Sequence, residues 1–180
     1  MQTLKTDRLL LRPWDPADAD FVYDMYSRWE VQRFIGLVPR VMEDRSEADR
    51  LIERCRNFDH PVRGFWAVQR VGDAQLVGTI LLKGIPASGE APLQPSGDTE
   101  IGWHFHPDYW GKGYAAEAAS AVLGHSFREG LGRVVAVTSA ENTASQRVCK
   151  RIGMEHQGTT KDYYNATCEL YLAEAGSRAS

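Results

Sequence analysis

Tyr109-Trp110-Gly111-Lys112-Gly113-Tyr114-Ala115-Ala116 is the stretch on which the reading of this chain turns. Upstream, Thr99–His106 alternates as a strand does, with Ile101, Trp103 and Phe105 on one face and Glu100, Gly102, His104 and His106 on the other. Downstream, Ala115, Ala118, Ala119, Val122, Leu123 and Phe127 recur at helical spacing to about Glu129, where Gly130 and Gly132 end the pattern. The octapeptide is therefore a turn from strand to helix. Its glycines let backbone approach a ligand closely. The first turn of the helix carries unpaired N–H groups and the positive end of the dipole. Together these make an anion site suited to a phosphate or pyrophosphate, or else a turn that only joins two elements.

Working outward, residues 4–14 read as a strand stopped by Pro13, and Asp15-Pro16 as a helix start, with that helix reaching about residue 28. Residues 30–42 read as irregular. A second helix begins near Asp44 or Ser46 and carries Ala48, Leu51, Ile52, Cys55 and Phe58 as its apolar stripe. Gly64–Val71, the turn Gly72-Asp73 and Gln75–Lys83 form a hairpin. Residues 86–98 hold three prolines, two glycines and two serines, which predicts a long mobile loop, functional or a plain insertion. Val134–Ser139 is a strand, and Asn142 caps a helix that Gly153 terminates. Strands over 154–162 and 167–173 and a polar tail over 174–180 complete one domain, 1–180. The order β α α β β β α β α β β is mixed α/β, with one strand–helix–strand crossover across 99–139.

Composition narrows the function classes. The 180 residues are 43% hydrophobic and 25% charged, as in a folded chain. A net charge of −3 argues against a dedicated nucleic-acid binder. No apolar run reaches the roughly 18 residues of a membrane span, and the first residues lack a leader's apolar core. A cytoplasmic protein without a membrane partner is the expectation. Cys55, Cys149 and Cys168 are odd in number and far apart, so neither a disulfide framework nor a zinc site is expected. His104 and His106 lack a third ligand, and no metal is expected. Asn165-Ala166-Thr167 matches a glycosylation sequon and is discounted in this context.

Three kinds of anion site compete for the glycine turn. The P-loop pattern is absent. Gly111-x-Gly113-x-x-Ala116 satisfies a dinucleotide-binding pattern, but Pro107-Asp108-Tyr109-Trp110 separate it from its strand, where that pattern follows almost at once. The third kind fits far more of the chain. T-D-R-L-L-L-R-P-W (6–14), E-I-G-W-H-F-H-P-D-Y-W-G-K-G-Y-A-A-E-A (100–118) and E-N-T-A-S-Q-R-V-C-K-R-I-G-M (141–154) occur in order. By these three pieces the sequence resembles the GNAT acetyltransferases, and within them the branch of the ribosomal-protein alanine N-acetyltransferases.

The resemblance implies a mixed, mostly antiparallel sheet of about seven strands flanked by about four helices. It implies acetyl-CoA as cosubstrate, no metal, and transfer to a primary amine by direct attack in a ternary complex. The acceptor would be a protein N-terminus or a small amine, and a homodimer would be common for such enzymes. The family pattern Q/R-x-x-G-x-G/A maps onto residues 110–115. Backbone N–H groups of Gly111, Lys112, Gly113, Tyr114 and Ala115 would then hold the pyrophosphate, with Trp110 where the pattern has Gln or Arg. Main-chain groups near Phe105 would meet the pantetheine arm, and an N–H there could polarise the thioester carbonyl.

Glu100 is the candidate base, with His104 in reserve, because a protonated amine is not a nucleophile. Cys149 stands where many relatives have a thiolate-protonating tyrosine, so Ser145 becomes the candidate proton donor or thiol contact. Asn142 would contact the pantetheine. Cys149 as an acyl carrier is set aside, because its helix position reads as buried. Trp29, Phe34, Arg40, Tyr163 and Tyr164 are candidate acceptor walls. A non-catalytic coenzyme A-binding regulatory module is the alternative reading.

Overall fold

The computed structural model describes residues 1–176. Strands β1 (Leu4–Lys5), β2 (Leu9–Arg12), β3 (Gly64–Arg70), β4 (Leu76–Pro86), β5 (Pro95–Phe105), β6 (Arg133–Thr138), β7 (Glu155–Thr160) and β8 (Cys168–Glu174) form one sheet. Its order is β1-β2-β3-β4-β5-β6-β8-β7. Neighbouring strands pair antiparallel except β5 and β6, which run parallel. That parallel pair requires the crossover helix α4 (Tyr114–Arg128). The other helices are α1 (Ala19–Tyr26), α2 (Trp29–Gln32), α3 (Arg45–Arg56) and α5 (Thr143–Arg151).

The alternation expected of β5 decides what each face does. Ile101 and Phe105 join Leu9, Leu11, Trp66, Val68, Ile80 and Leu82 in the core under α4, which contributes Ala118, Ala119 and Val122. On the opposite face, Ala67 packs with Trp14, Val22, Met25 and Tyr26 near α1 and Ala48, Ile52 and Cys55 of α3. A third cluster, Ile85, Val135 and Tyr163, lies toward β8. Burial of each large apolar side chain in these layers contributes about 1.5–3 kcal/mol. Glu100 stands on the same face as Gly102 and His104, opposite Lys83 of β4.

Local signals held well. Asp15 and Asp44 both close capping boxes. Asn142 accepts from the Ser145 N–H at 3.2 Å. Arg12 pairs bidentately with buried Asp18 at 2.8 and 2.9 Å, bracing the first helical turn against β2.

Four boundaries differ from expectation. Residues 4–14 hold two short strands, because the chain reverses between them and Leu4 pairs with Leu11; this split brings the strands to eight. The first helix is a 3-10 turn at Pro16–Asp18 followed by α1, and a separate α2 lies where irregular chain was expected. Residues 95–98 are strand, not loop. Pro86 pairs with Pro95 beyond a register shift at Gly84, the kind of irregularity at which a residue without an N–H fits a ladder. Only 87–94 lies between the strands. At the other end, β8 includes Glu174, so the polar tail begins later than expected; its residues 177–180 lie outside those described. Among the described residues, no helix is long and apolar enough to cross a membrane.

Candidate active site

The glycine turn opens α4 without a cap. Gly113 is the N-cap residue, left-handed at φ 80°, and among the described residues no side chain caps the helix start. Its first N–H groups face outward unpaired. Gly111 is also left-handed, at φ 73°, and a Cβ there would meet open space, so this backbone is accessible. The Lys112 ammonium does not face this opening: it donates to Asp108 O at 2.9 Å and lies over the Tyr109 ring. Two arginines supply the positive charge instead. Guanidinium nitrogens of Arg8 and Arg151 lie 3.5 and 3.9 Å from where a Gly113 Cβ would stand. Arg8 also donates to Lys112 O at 3.1 Å and pairs with Glu117 at 2.6 Å. Glu117, the acid in the first turn of α4, is thus neutralised.

Beside this turn the sheet opens. β5 and β6 meet at one register pair, Glu100 with Val135. The His106 N–H reaches Val77 O of β4 at 3.0 Å. By strand alternation the polar groups of Phe105 face the other way, toward the opening. The Phe105 carbonyl there is taken: the Trp110 indole Nε1–H donates to it at 2.7 Å. Trp110 therefore ties the glycine turn to the strand, and of the Phe105 main chain the N–H is the group left for a ligand. Both α4 and α5 begin past the carboxyl ends of this parallel pair, the crevice where open α/β sheets bind ligands.

At the seam stands Glu100, only 8% exposed. Tyr164 donates to its Oε2 at 2.5 Å, and Lys83 Nζ lies 3.5 Å from the same oxygen while donating to Tyr164 Oη at 2.7 Å. Burial raises the Glu100 pKa, against the pull of the Lys83 charge and the Tyr164 hydrogen bond. Burial also pushes the Tyr164 hydroxyl well up, so it is a donor. His104, on the same face, shares a hydrogen bond between its Nδ1 and Tyr26 Oη, 2.7 Å apart. Burial, with the Lys83 charge, pulls its pKa down to about 4. The imidazole is neutral and a weak base, and it anchors α1 to β5.

At the start of α5, Ser145 is half-buried and its N–H is held by the Asn142 cap. Its hydroxyl makes no hydrogen bond among the described residues. Cys149 is buried, with its thiol pushed up to about 12 by desolvation, so a reactive thiolate is not accessible there.

The chain matches the family described as acetyltransferase (GNAT) domain over residues 8–155. It belongs to the GNAT acetyltransferases. An uncharacterised N-acetyltransferase of Bacillus subtilis, YoaA, is 32% identical over 162 residues, covering 89% of this chain and 86% of the relative. A GNAT-family acetyltransferase structure from Bacillus anthracis superposes with a TM-score of 0.74 at 28% identity, covering 95% of this chain and 96% of that one. A ribosomal-protein-S5-alanine acetyltransferase from Vibrio fischeri shares the fold, with a TM-score of 0.74 at 16% identity over the full length of both chains.

Acetyl-CoA is the cosubstrate of this GNAT family, and the residues present fit it: uncapped amides, open space at Gly111 and a parted strand pair. The structure brings Glu100 and Tyr164 together, while Tyr163 donates to Asp98 at 2.8 Å. It does not gather the other candidate walls. Arg40 is paired with Glu47 of α3, Phe34 lies under Arg33, and Trp29 is 55% exposed. Sequence reasoning missed Lys83, Arg8 and Arg151. Lys83 is legible only once the β4–β5 register sets it opposite Glu100.

Proposed function

We propose that this GNAT enzyme acetylates a primary amine by direct attack in a ternary complex, the acceptor being a protein N-terminus or a small amine. One observation carries the reading: a buried carboxylate, held by Tyr164 and Lys83, lies at the single register pair of β5 with β6, on the strand that leads into an uncapped helix start. Acetyl-CoA, when bound, supplies an acetyl thioester with a thiol leaving group of pKa about 8.5. The amides of Gly111, Lys112, Gly113, Tyr114 and Ala115 would bind its pyrophosphate, with Arg8 and Arg151 adding charge. Trp110 fixes that turn to the strand. The Phe105 N–H would polarise the thioester carbonyl.

Glu100 takes the proton that a neutral amine sheds on attack, directly or through one water, and returns it to solvent. Lys83 and Tyr164 favour its ionised form. Ser145, whose hydroxyl has no hydrogen-bond partner among the described residues, donates a proton to the departing thiolate and takes one back from solvent. Asn142 orients the α5 start and would contact the pantetheine arm of the cofactor.

An acceptor screen with acetyl-CoA and thiol detection tests this, using N-terminal peptides, amino acids and polyamines. The expected result is thiol release with one class and a loss of about 10²–10⁴ in kcat/KM for Glu100→Gln. Coenzyme A binding without turnover across the panel would overturn the activity. Near-parental rates across pH for Glu100→Gln would remove Glu100 from it.

A further inference from the structure

The segment between β4 and β5 has a partner across the sheet. Residues 163–166 form a tight turn closed by the Ala166 N–H on Tyr163 O at 3.1 Å. Both central residues, Tyr164 and Asn165, are left-handed, at φ 59° and 55°. Asparagine tolerates that region; for a bulky tyrosine it is an outlier that surrounding structure must enforce. The β4–β5 tip grips this turn and the two residues before it at six points. Ala87 bridges Tyr163. The Ser88 N–H donates to Asp162 O at 2.7 Å, and its hydroxyl donates to Lys161 O at 2.6 Å while accepting the Asn165 N–H at 2.9 Å. The Asn165 carboxamide accepts the Gly89 N–H at 2.8 Å and donates to Gly89 O at 3.0 Å.

We infer that Ser88 and Asn165 are positioning residues: the β4–β5 tip clamps the 163–166 turn in a left-handed conformation and thereby keeps the Tyr164 hydroxyl on Glu100. The proposal gives the segment 87–94 a task in the active site. It rests on the reading of Glu100 as the base for its catalytic consequence, but its physical content is the environment of one carboxylate. The groups facing or bordering Glu100 are Lys83 on β4, Tyr164 on the turn and Cys168 on β8. Asp98, on the same strand, is satisfied by Tyr163 and by Arg133 of β6. His104 lies farther along β5. Of these, Tyr164 alone is held by the tip. A hydrogen bond from its hydroxyl favours the carboxylate, so loosening it raises the titration midpoint of Glu100.

The test is a pH titration of Glu100 by carbon-13 NMR in the full-length chain labelled at the glutamate carboxyl carbon, the signal assigned by its loss in Glu100→Gln. Tyr164→Phe sets the scale and is expected to raise the midpoint by about one unit. Ser88→Ala and Asn165→Ala are expected to raise it by at least half that shift. Asn165→Gly keeps a backbone at ease in the left-handed region and loses only the carboxamide bonds, and it is expected to shift the same way. Ser88→Ala leaves the turn sequence intact and keeps the test open should the Asn165 variants misfold. Parental midpoints in Ser88→Ala and Asn165→Gly, with Tyr164→Phe shifted, would overturn the clamp. So would a parental midpoint in Tyr164→Phe. Full transfer activity in Glu100→Gln would end the base assignment instead and leave the titration result standing.

Discussion

Glu100 is pulled in two directions, and its chemistry follows from the balance. Burial favours the protonated acid, while Lys83 and Tyr164 favour the carboxylate. As a base it works only when ionised, so the rate rises with pH through its raised pKa. Lys83→Met removes the nearest cation and is expected to move the acid limb of kcat/KM upward by about one unit, read from a pH–rate profile. The same raised pKa has a cost in stability. The folded chain binds the Glu100 proton more tightly than the unfolded chain does, so stability falls as pH rises from the unfolded carboxylate pKa through the folded one, and stays lower above it. Glu100→Gln is therefore expected to flatten that fall. Urea midpoints of parent and variant, measured across this window, check the sign.

At the scale of elements, the start of α4 is built by backbone and flanked by side chains from elsewhere. Gly113 at φ 80° leaves no comfortable place for a Cβ-bearing residue. Gly113→Ala is expected to cost about 1–2 kcal/mol and to raise the KM for acetyl-CoA, read by thermal denaturation and steady-state kinetics. Arg8 is a contrasting case, because its side chain is half exposed in its ion pair with Glu117. Losing such a pair changes stability by no more than about 1 kcal/mol. Arg8→Ala is expected to fold normally and to raise the KM for acetyl-CoA by roughly 5-fold, less so as salt screens the lost charge.

At the scale of the whole molecule, the proposed cofactor site joins two helix starts and one strand across a seam that the sheet itself does not close. A ligand there links α4, α5 and β5. Coenzyme A at 100 times its Kd is expected to stabilise the fold by about 2.7 kcal/mol, seen as a concentration-dependent rise in Tm. Hydrogen exchange should slow at residues 111–115 and 142–145 in the same titration.

Much of this architecture was written locally. The capping residues Asp15, Asp44 and Asn142, the two faces of β5 and the glycine turn all depend on neighbours within a few positions. Helix and strand periods therefore expose them directly. The limits were local too: prolines at 86 and 95 marked a loop end but could not reveal that they pair. Glu100 could be picked out by its strand face, yet its partners could not. Tyr164 lies 64 residues away and Asn165 is 76 residues from Gly89, and only sheet order and register bring such pairs together. Short-range pattern was enough for most of the elements, for the family and for the glycine turn, because each rests on neighbours along the chain. Tertiary structure alone decided that β5 parts from β6, that Lys83 and Tyr164 share Glu100, and that Arg8 and Arg151 flank the turn, because side chains distant along the chain meet only when strands pair in register.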